Sequence, residues 1–333
     1  MFKTSKIALA AVLALGTAGF SAAQDTQPQV RMARDLVAAA SAFETYTRTA
    51  GAIDADFAGP KAVAGAVRVA ASHEPHQIEA GMIAYAAMAA LQDEGFVDGV
   101  QRIAADRGAR EAMVRQLMDD PEAAVGLPGA EGAAARARSA LLRQVEPLLA
   151  DGARVKQAAY DIQHHEWSKV MVGDARERLA LVKQLAAQTF SPSEADATRL
   201  YQALTARSER REAAPVSPVV ARGLALAALA LAGEAGEENR EALRPVVTDV
   251  RSAECMRMAK LNLFQCMAVA GPHYEDVFCI SQHAMLEAGR CMAQAAGADT
   301  APRPVETADA RSLLIPVARG HSHNQSPVPA GER

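Results

Sequence analysis

Cys255, Cys266, Cys279 and Cys291 are the only cysteines of the chain, and all four fall in one short C-terminal stretch. Thiolates bind metals or act as nucleophiles in reducing compartments, and pair as disulfides in oxidising ones. Cys279 and His283 stand at i, i+4, on one face of a helix. Met256, Met258, Met267, Met285 and Met292 lie nearby. Such soft donors suit copper. The competing reading is two disulfides, a methionine-filled core and a surface histidine. No Cys-x-x-Cys spacing supports zinc. We adopt the disulfide reading, with no metal and no cofactor assigned.

Three pairings of four cysteines exist. Cys255 and Cys266 are eleven residues apart, or roughly 16 Å along a helix. Bridged Cα atoms must lie within about 7 Å, so pairing within one helical arm is excluded. Gly271-Pro272-His273-Tyr274 is the strongest turn signal of the region. Folding the segment about Pro272-His273 brings Cys266 to Cys279 and Cys255 to Cys291. The crossed pairing has no common centre. One mismatch remains. Eleven residues return a helix to nearly the same face, whereas the twelve from Cys279 to Cys291 leave it roughly 120° away at 100° per residue. An irregular first turn at Cys279 or a bend near Gly289 would absorb it.

Other clusters offer chemistry. In His164-His165-Glu166-Trp167, adjacent side chains on a helix point about 100° apart, so the two histidines do not face one ion. Asp161 and His165 stand at i, i+4, a spacing at which a carboxylate can orient a general base; Tyr160 and His164 share that spacing. A surface hydrogen bond is the simpler reading. His73-Glu74-Pro75-His76 lacks the His-Glu-x-x-His spacing of metalloproteases and reads as a helix cap. His321 and His323 sit in the C-terminal tail and read as incidental. The chain after its leader has no Gly-x-Ser-x-Gly, Ser-x-x-Lys, phosphate-cradling glycine loop or haem Cys-x-x-Cys-His. No catalytic residue is assigned.

The elements that hold these residues read as helices. Aromatics make up only 4% of the chain, and Ala, Leu, Glu, Gln and Arg dominate without period-2 alternation. The fold class is all-α: a multi-helix array of antiparallel helices with a C-terminal stapled hairpin. Helices are expected over 30–49, 61–71, 96–106, 110–118, 133–172, 174–188, 193–211 and 219–232. Ser72 is the expected cap of a helix opening at Pro75, and Ser193 with Asp196 forms a capping box. Pro147 and Gly152 are expected to kink or divide the long helix. Gly223 to Gly233 is apolar but far shorter than the roughly 20 residues of a membrane span, hence a buried helix.

The paired-cysteine arms resemble twin-cysteine helical hairpins of the CHCH kind, with intervals of ten and eleven residues. The segments Asn262-Leu263-Phe264-Gln265-Cys266 and Tyr274-Glu275-Asp276-Val277-Phe278-Cys279 resemble uncharacterised exported, periplasmic all-helical proteins of alphaproteobacteria. That resemblance implies export and a helical fold, and brings no activity.

Lys3 and Lys6, the apolar run Ile7 to Phe20, and Ser21-Ala22-Ala23 read as a secretion signal cleaved before Gln24. With an alanine- and arginine-rich composition, this places the expected product in a Gram-negative periplasm as a soluble chain. The expected organisation is a signal peptide 1–23, a helical region 24–214, a second region 219–297 packed on the first, and a disordered tail 298–333 carrying one apolar knot, Leu313 to Val317. The net charge of −4 and the lack of a basic block argue against nucleic acid. The reading is a non-enzymatic binding or envelope-organising protein. Its partner would be another envelope protein or a second copy. An envelope-polymer hydrolase and a periplasmic metal handler are the alternatives.

Overall fold

A computed structural model describes residues 30–206 and 215–298. The segment expected as a signal peptide, the C-terminal segment expected as a tail with its apolar knot and histidines, and the expected helical continuation to Arg211 lie outside these. The described residues form thirteen α-helices and no strand: α1 Arg34–Ala50, α2 Pro60–Ala71, α3 Pro75–Ala90, α4 Glu94–Ala105, α5 Arg107–Asp119, α6 Ala130–Ile162, α7 Glu166–Lys169, α8 Ala175–Ala187, α9 Glu194–Thr205, α10 Pro218–Leu231, α11 Val250–Val269, α12 His273–Cys279 and α13 Ala288–Ala295. A π-helical segment, Ile280–Glu287, joins α12 to α13.

The helix starts follow local chemistry. Pro60, Pro75 and Pro218 each open a helix, where a missing N–H costs nothing. Asp93, Asp106, Ser193, Ser217 and Asp249 accept hydrogen bonds from first-turn amides. The capping box of Ser193 and Asp196 is complete. Two expectations are corrected. Ser72 does not cap α3; its hydroxyl donates to Arg68 O inside α2. Glu74 is the cap, accepting from the amides of His76 and Gln77, because its longer carboxylate reaches both. Pro147 does not divide α6, which runs unbroken to Ile162. Buried Leu142, Val145, Leu148 and Val155 line its inner face, so tertiary packing outweighs a local penalty of about 3 kcal/mol.

Two alanine-rich helices form the centre. Every residue of α10 from Leu224 to Leu231 is buried, as are Met82 to Ala87 of α3. Small side chains let these helices approach closely. α3 packs against α1, α6, α10 and α11, and one continuous apolar core runs from Ala33 to Ala296.

The C-terminal hairpin has α11 as its first arm and α12, the π segment and α13 as its second. Cys255 is bonded to Cys291 and Cys266 to Cys279, with Cα separations of 5.7 and 5.6 Å. The phase mismatch is absorbed neither at the first turn nor at Gly289. It is absorbed by the π segment between the two cysteines of the second arm, where i→i+5 bonding takes up one extra residue. This arm lies on α6 through two glycines. A Cβ at Gly152 would meet Met285 Cβ at 3.0 Å, and one at Gly289 would meet Leu149 Cδ2 at 2.7 Å.

Candidate functional site

The residues singled out in the sequence do not converge. α6 ends at Ile162 and His165 stands just before the short α7, with no capping hydrogen bond from its side chain, so Asp161 and His165 share no helix face. Asp161 instead accepts from Gln157 Nε2 at 3.0 Å. His164 and His165 are exposed; the His165 ring lies edge-on to Trp167, 6.4 Å between centroids. Tyr160 packs edge-on to Phe278 and not to His164. Cys279 is bonded to Cys266 and offers no thiolate to a metal. His283 Nδ1 lies 3.0 Å from Glu287 Oε2. Among the described residues, no group of three or more His, Cys, Asp or Glu side chains is arranged to hold a metal ion.

A polar chain that the sequence did not announce runs through the core beneath the hairpin. Met256, Lys260, Leu263 and Met267 occupy the inward face of α11. Lys260 therefore enters the core, where it is 5% exposed. Its Nζ donates to Ala71 O at 3.1 Å and lies 3.2 Å from His73 Nδ1. His73, 4% exposed, stands between α2 and α3. It is a core residue, whereas the sequence places it in a cap. Its ring packs on Tyr46 of α1, centroids 4.2 Å apart, and the Tyr46 hydroxyl donates to Ala284 O of the π segment. α1, the α2–α3 junction, α11 and the π segment are thus joined through three side chains.

The electrostatics follow from burial. Removal from water pushes Lys260 down to about 7, with Glu74 opposing. Burial holds His73 well below the usual histidine range, and Lys260 lowers it further. His73 Nδ1 is 3.1 Å from Ala70 O as well as close to Lys260. A charged Lys260 donates to Nδ1, which then carries no proton; donation from Nδ1 to Ala70 O requires the other tautomer. A charged Lys260 therefore selects the tautomer with Nδ1 unprotonated. Among the described residues, His73 Nε2 has no hydrogen-bond partner.

Two further polar ties seat α11. At its start, Glu79 of α3 accepts from the amide of Asp249, and burial raises its carboxyl to about 7. At its end, Arg178 of α8 donates to Met267 O and Ala270 O at 3.0 and 2.7 Å. The same guanidinium pairs with Asp276. Nη1 lies 2.7 Å from Oδ1 and 2.9 Å from Oδ2, aligned for a hydrogen bond to Oδ2. Burial raises Asp276 to about 6 against the opposing pull of Arg178. One side chain therefore closes the last turn of α11 and anchors α12.

Three exposed apolar side chains stand near the hairpin turn. Val269 is 83% exposed, Met171 66% and Val170 58%. Met171 bridges to Pro272, and the Val172 amide donates to Gly271 O at 2.9 Å. Trp167 and His273 stand 6.3 Å apart between ring centroids. Two depressions among the described residues lie elsewhere. One of about 200 Å³ is lined by Pro218, Val219, Asp249, Arg251, Ser252 and Gln294 among others; a more open one of about 430 Å³ is lined by Arg107, Arg110, Glu111, Val114, Arg115 and Glu234. Neither receives Lys260, His73 or Tyr46. Among the described residues no helix is long and apolar enough to cross a membrane. Comparison with protein-family models, with curated proteins and with solved structures gives no match.

Proposed function

We propose that this is an exported helical binding protein, of envelope-organising type, that presents the turn of its stapled hairpin to a partner. The observation that carries the reading is three exposed apolar residues beside the hairpin turn, Val170 and Met171 next to the Met171–Pro272 bridge and Val269 at the end of α11. Large exposed apolar side chains grouped on a fixed surface mark interaction sites. Here the backbone beneath them is held by the Cys266–Cys279 bond, by the Met171–Pro272 bridge and by Arg178. The partner is another envelope protein or a second copy of the chain.

The hydrolase reading has less support. The smaller depression contains one carboxylate, Asp249, which is committed to capping α11. In the larger one, Glu111 and Glu234 are paired with Arg107 and Arg110. The metal reading loses its thiolates to the disulfides. Export to an oxidising compartment is supported by two disulfides that use all four cysteines and by the leader-like N-terminal sequence.

The test is affinity purification of the full chain from its native envelope beside the double variant Met171→Asp, Val269→Asp. A partner, or a second copy, held by the wild type and lost by the folded variant is the expected result. Equal retention by both contradicts the proposal.

A further inference from the structure

The second arm has twelve residues from Cys279 to Cys291 against eleven from Cys255 to Cys266 in the first. Both ends of the second arm are bonded to the first. Eleven α-helical residues rise roughly 16 Å and turn to within about 20° of the starting face; twelve rise roughly 18 Å and end about 120° away. The first arm is regular α-helix throughout, so it sets the slot. The second arm fits only by bonding i→i+5 over Ile280–Glu287.

We propose that the hairpin is a redox-sensitive register switch: with both disulfides closed the arm is held in its π form, and with one opened it relaxes to α-helix. This rests on residue count and connectivity, and stands apart from the binding reading. Cys255 and Cys266 are partly exposed while Cys279 and Cys291 are buried, so attack falls on the sulfurs of α11. A thiolate of a dithiol reductant attacks Cys266 Sγ and displaces Cys279 as a thiolate, which takes a proton. The second thiolate of the reductant then closes on the mixed disulfide and releases Cys266, also protonated. Two electrons and two protons pass to the protein, and the reductant leaves as its cyclic disulfide.

Relaxation turns the residues on one side of the segment by about 100° relative to the other. A return from i→i+5 to i→i+4 bonding leaves one carbonyl over, and Ala284 O at this place receives the Tyr46 hydroxyl. The switch therefore reaches α1 and His73 through Tyr46, and the turn surface through α12.

A one-residue deletion in the oxidised full chain tests the fit. Deleting His283 leaves Cys279 and Cys291 eleven positions apart, the separation of Cys255 and Cys266 in the first arm. Both disulfides are expected to form, ¹³Cα shifts to report regular α-helix across the segment, and the thermal midpoint to stay within a few degrees of wild type. Deleting Leu261 from α11 instead worsens the mismatch and is expected to prevent at least one disulfide. Loss of a disulfide on deleting His283, or a π pattern that persists, overturns the inference. The redox arm uses the wild type under graded dithiothreitol and the variant Cys266→Ser, Cys279→Ser without reductant. Amide exchange over 280–287 is expected to change as the first two thiols appear, and to match the pattern of the variant. An unchanged pattern in either overturns the switch, as does loss of protection along the whole arm.

Discussion

Lys260 Nζ lies 3.2 Å from His73 Nδ1 in the core, and the amine's other hydrogen-bond partner is a backbone carbonyl, Ala71 O. A buried amine that donates to an imidazole and a carbonyl has no opposite charge in contact. It sheds its proton near neutrality, where an exposed lysine keeps it.

Lys260→Met is expected to stabilise the fold at neutral pH, by about 1–3 kcal/mol, because an apolar side chain of similar length replaces an uncompensated amine. The sign of the pH dependence follows. Folded Lys260 titrates at about 7, and the unfolded residue near 10.4. Between these values the unfolded chain binds more protons, so stability rises with pH across that window. The slope approaches ~1.4 kcal/mol per pH unit, and below the folded value the penalty is constant. Urea unfolding from pH 7 to 9 should show the rise in wild type and lose it in the variant.

Glu79 acts in the opposite direction and in a different window. Its folded carboxyl titrates at about 7, above the 4.5 of an exposed glutamate. The folded state therefore binds more protons between those values, and the contribution of Glu79 to stability falls as pH rises through them. Glu79→Gln keeps an acceptor for the Asp249 amide and removes the titration. Unfolding curves at pH 5 and 7 should differ less in the variant than in wild type.

Arg178 closes α11 and pairs with Asp276 in one place. Breaking a buried ion pair from one side costs about 3–5 kcal/mol. Arg178→Ala also leaves the carbonyls of Met267 and Ala270 without their guanidinium donor. Denaturant midpoints should show a loss at or above that range. The paired variant Arg178→Met, Asp276→Leu should recover much of it.

The two staples are separately testable. Opening Cys266–Cys279, whose partners are 13 residues apart, should cost about 3 kcal/mol, and the 36-residue Cys255–Cys291 loop somewhat more, on the chain-entropy account. Thermal midpoints of the two serine double variants give the order.

Spacing carried much of the architecture. The hairpin, its pairing and the buried α10 all follow from periods of one helix and a single turn. The same arithmetic showed that Cys279 was out of phase, yet it could not say where the extra residue would go. It went into Ile280–Glu287, the segment whose Met285 and Leu286 pack on Gly152 of α6. His73 and Lys260 were illegible for a related reason. A lysine on the inward face of α11, between Met256 and Leu263, was the available signal, but its histidine partner is 187 positions away. Glu74 displaced Ser72 as a cap through side-chain reach, and Pro147 was tolerated because packing decided over local preference.

We propose that the hairpin turn is where this protein meets its partner. The most direct measurement is site-specific photo-crosslinking in native cells, with the reactive residue at Val269 and, as control, at the exposed Val125 beyond α5. A discrete adduct from position 269 and none from position 125 is the predicted result. No adduct from 269, or the same adduct from both positions, would contradict it.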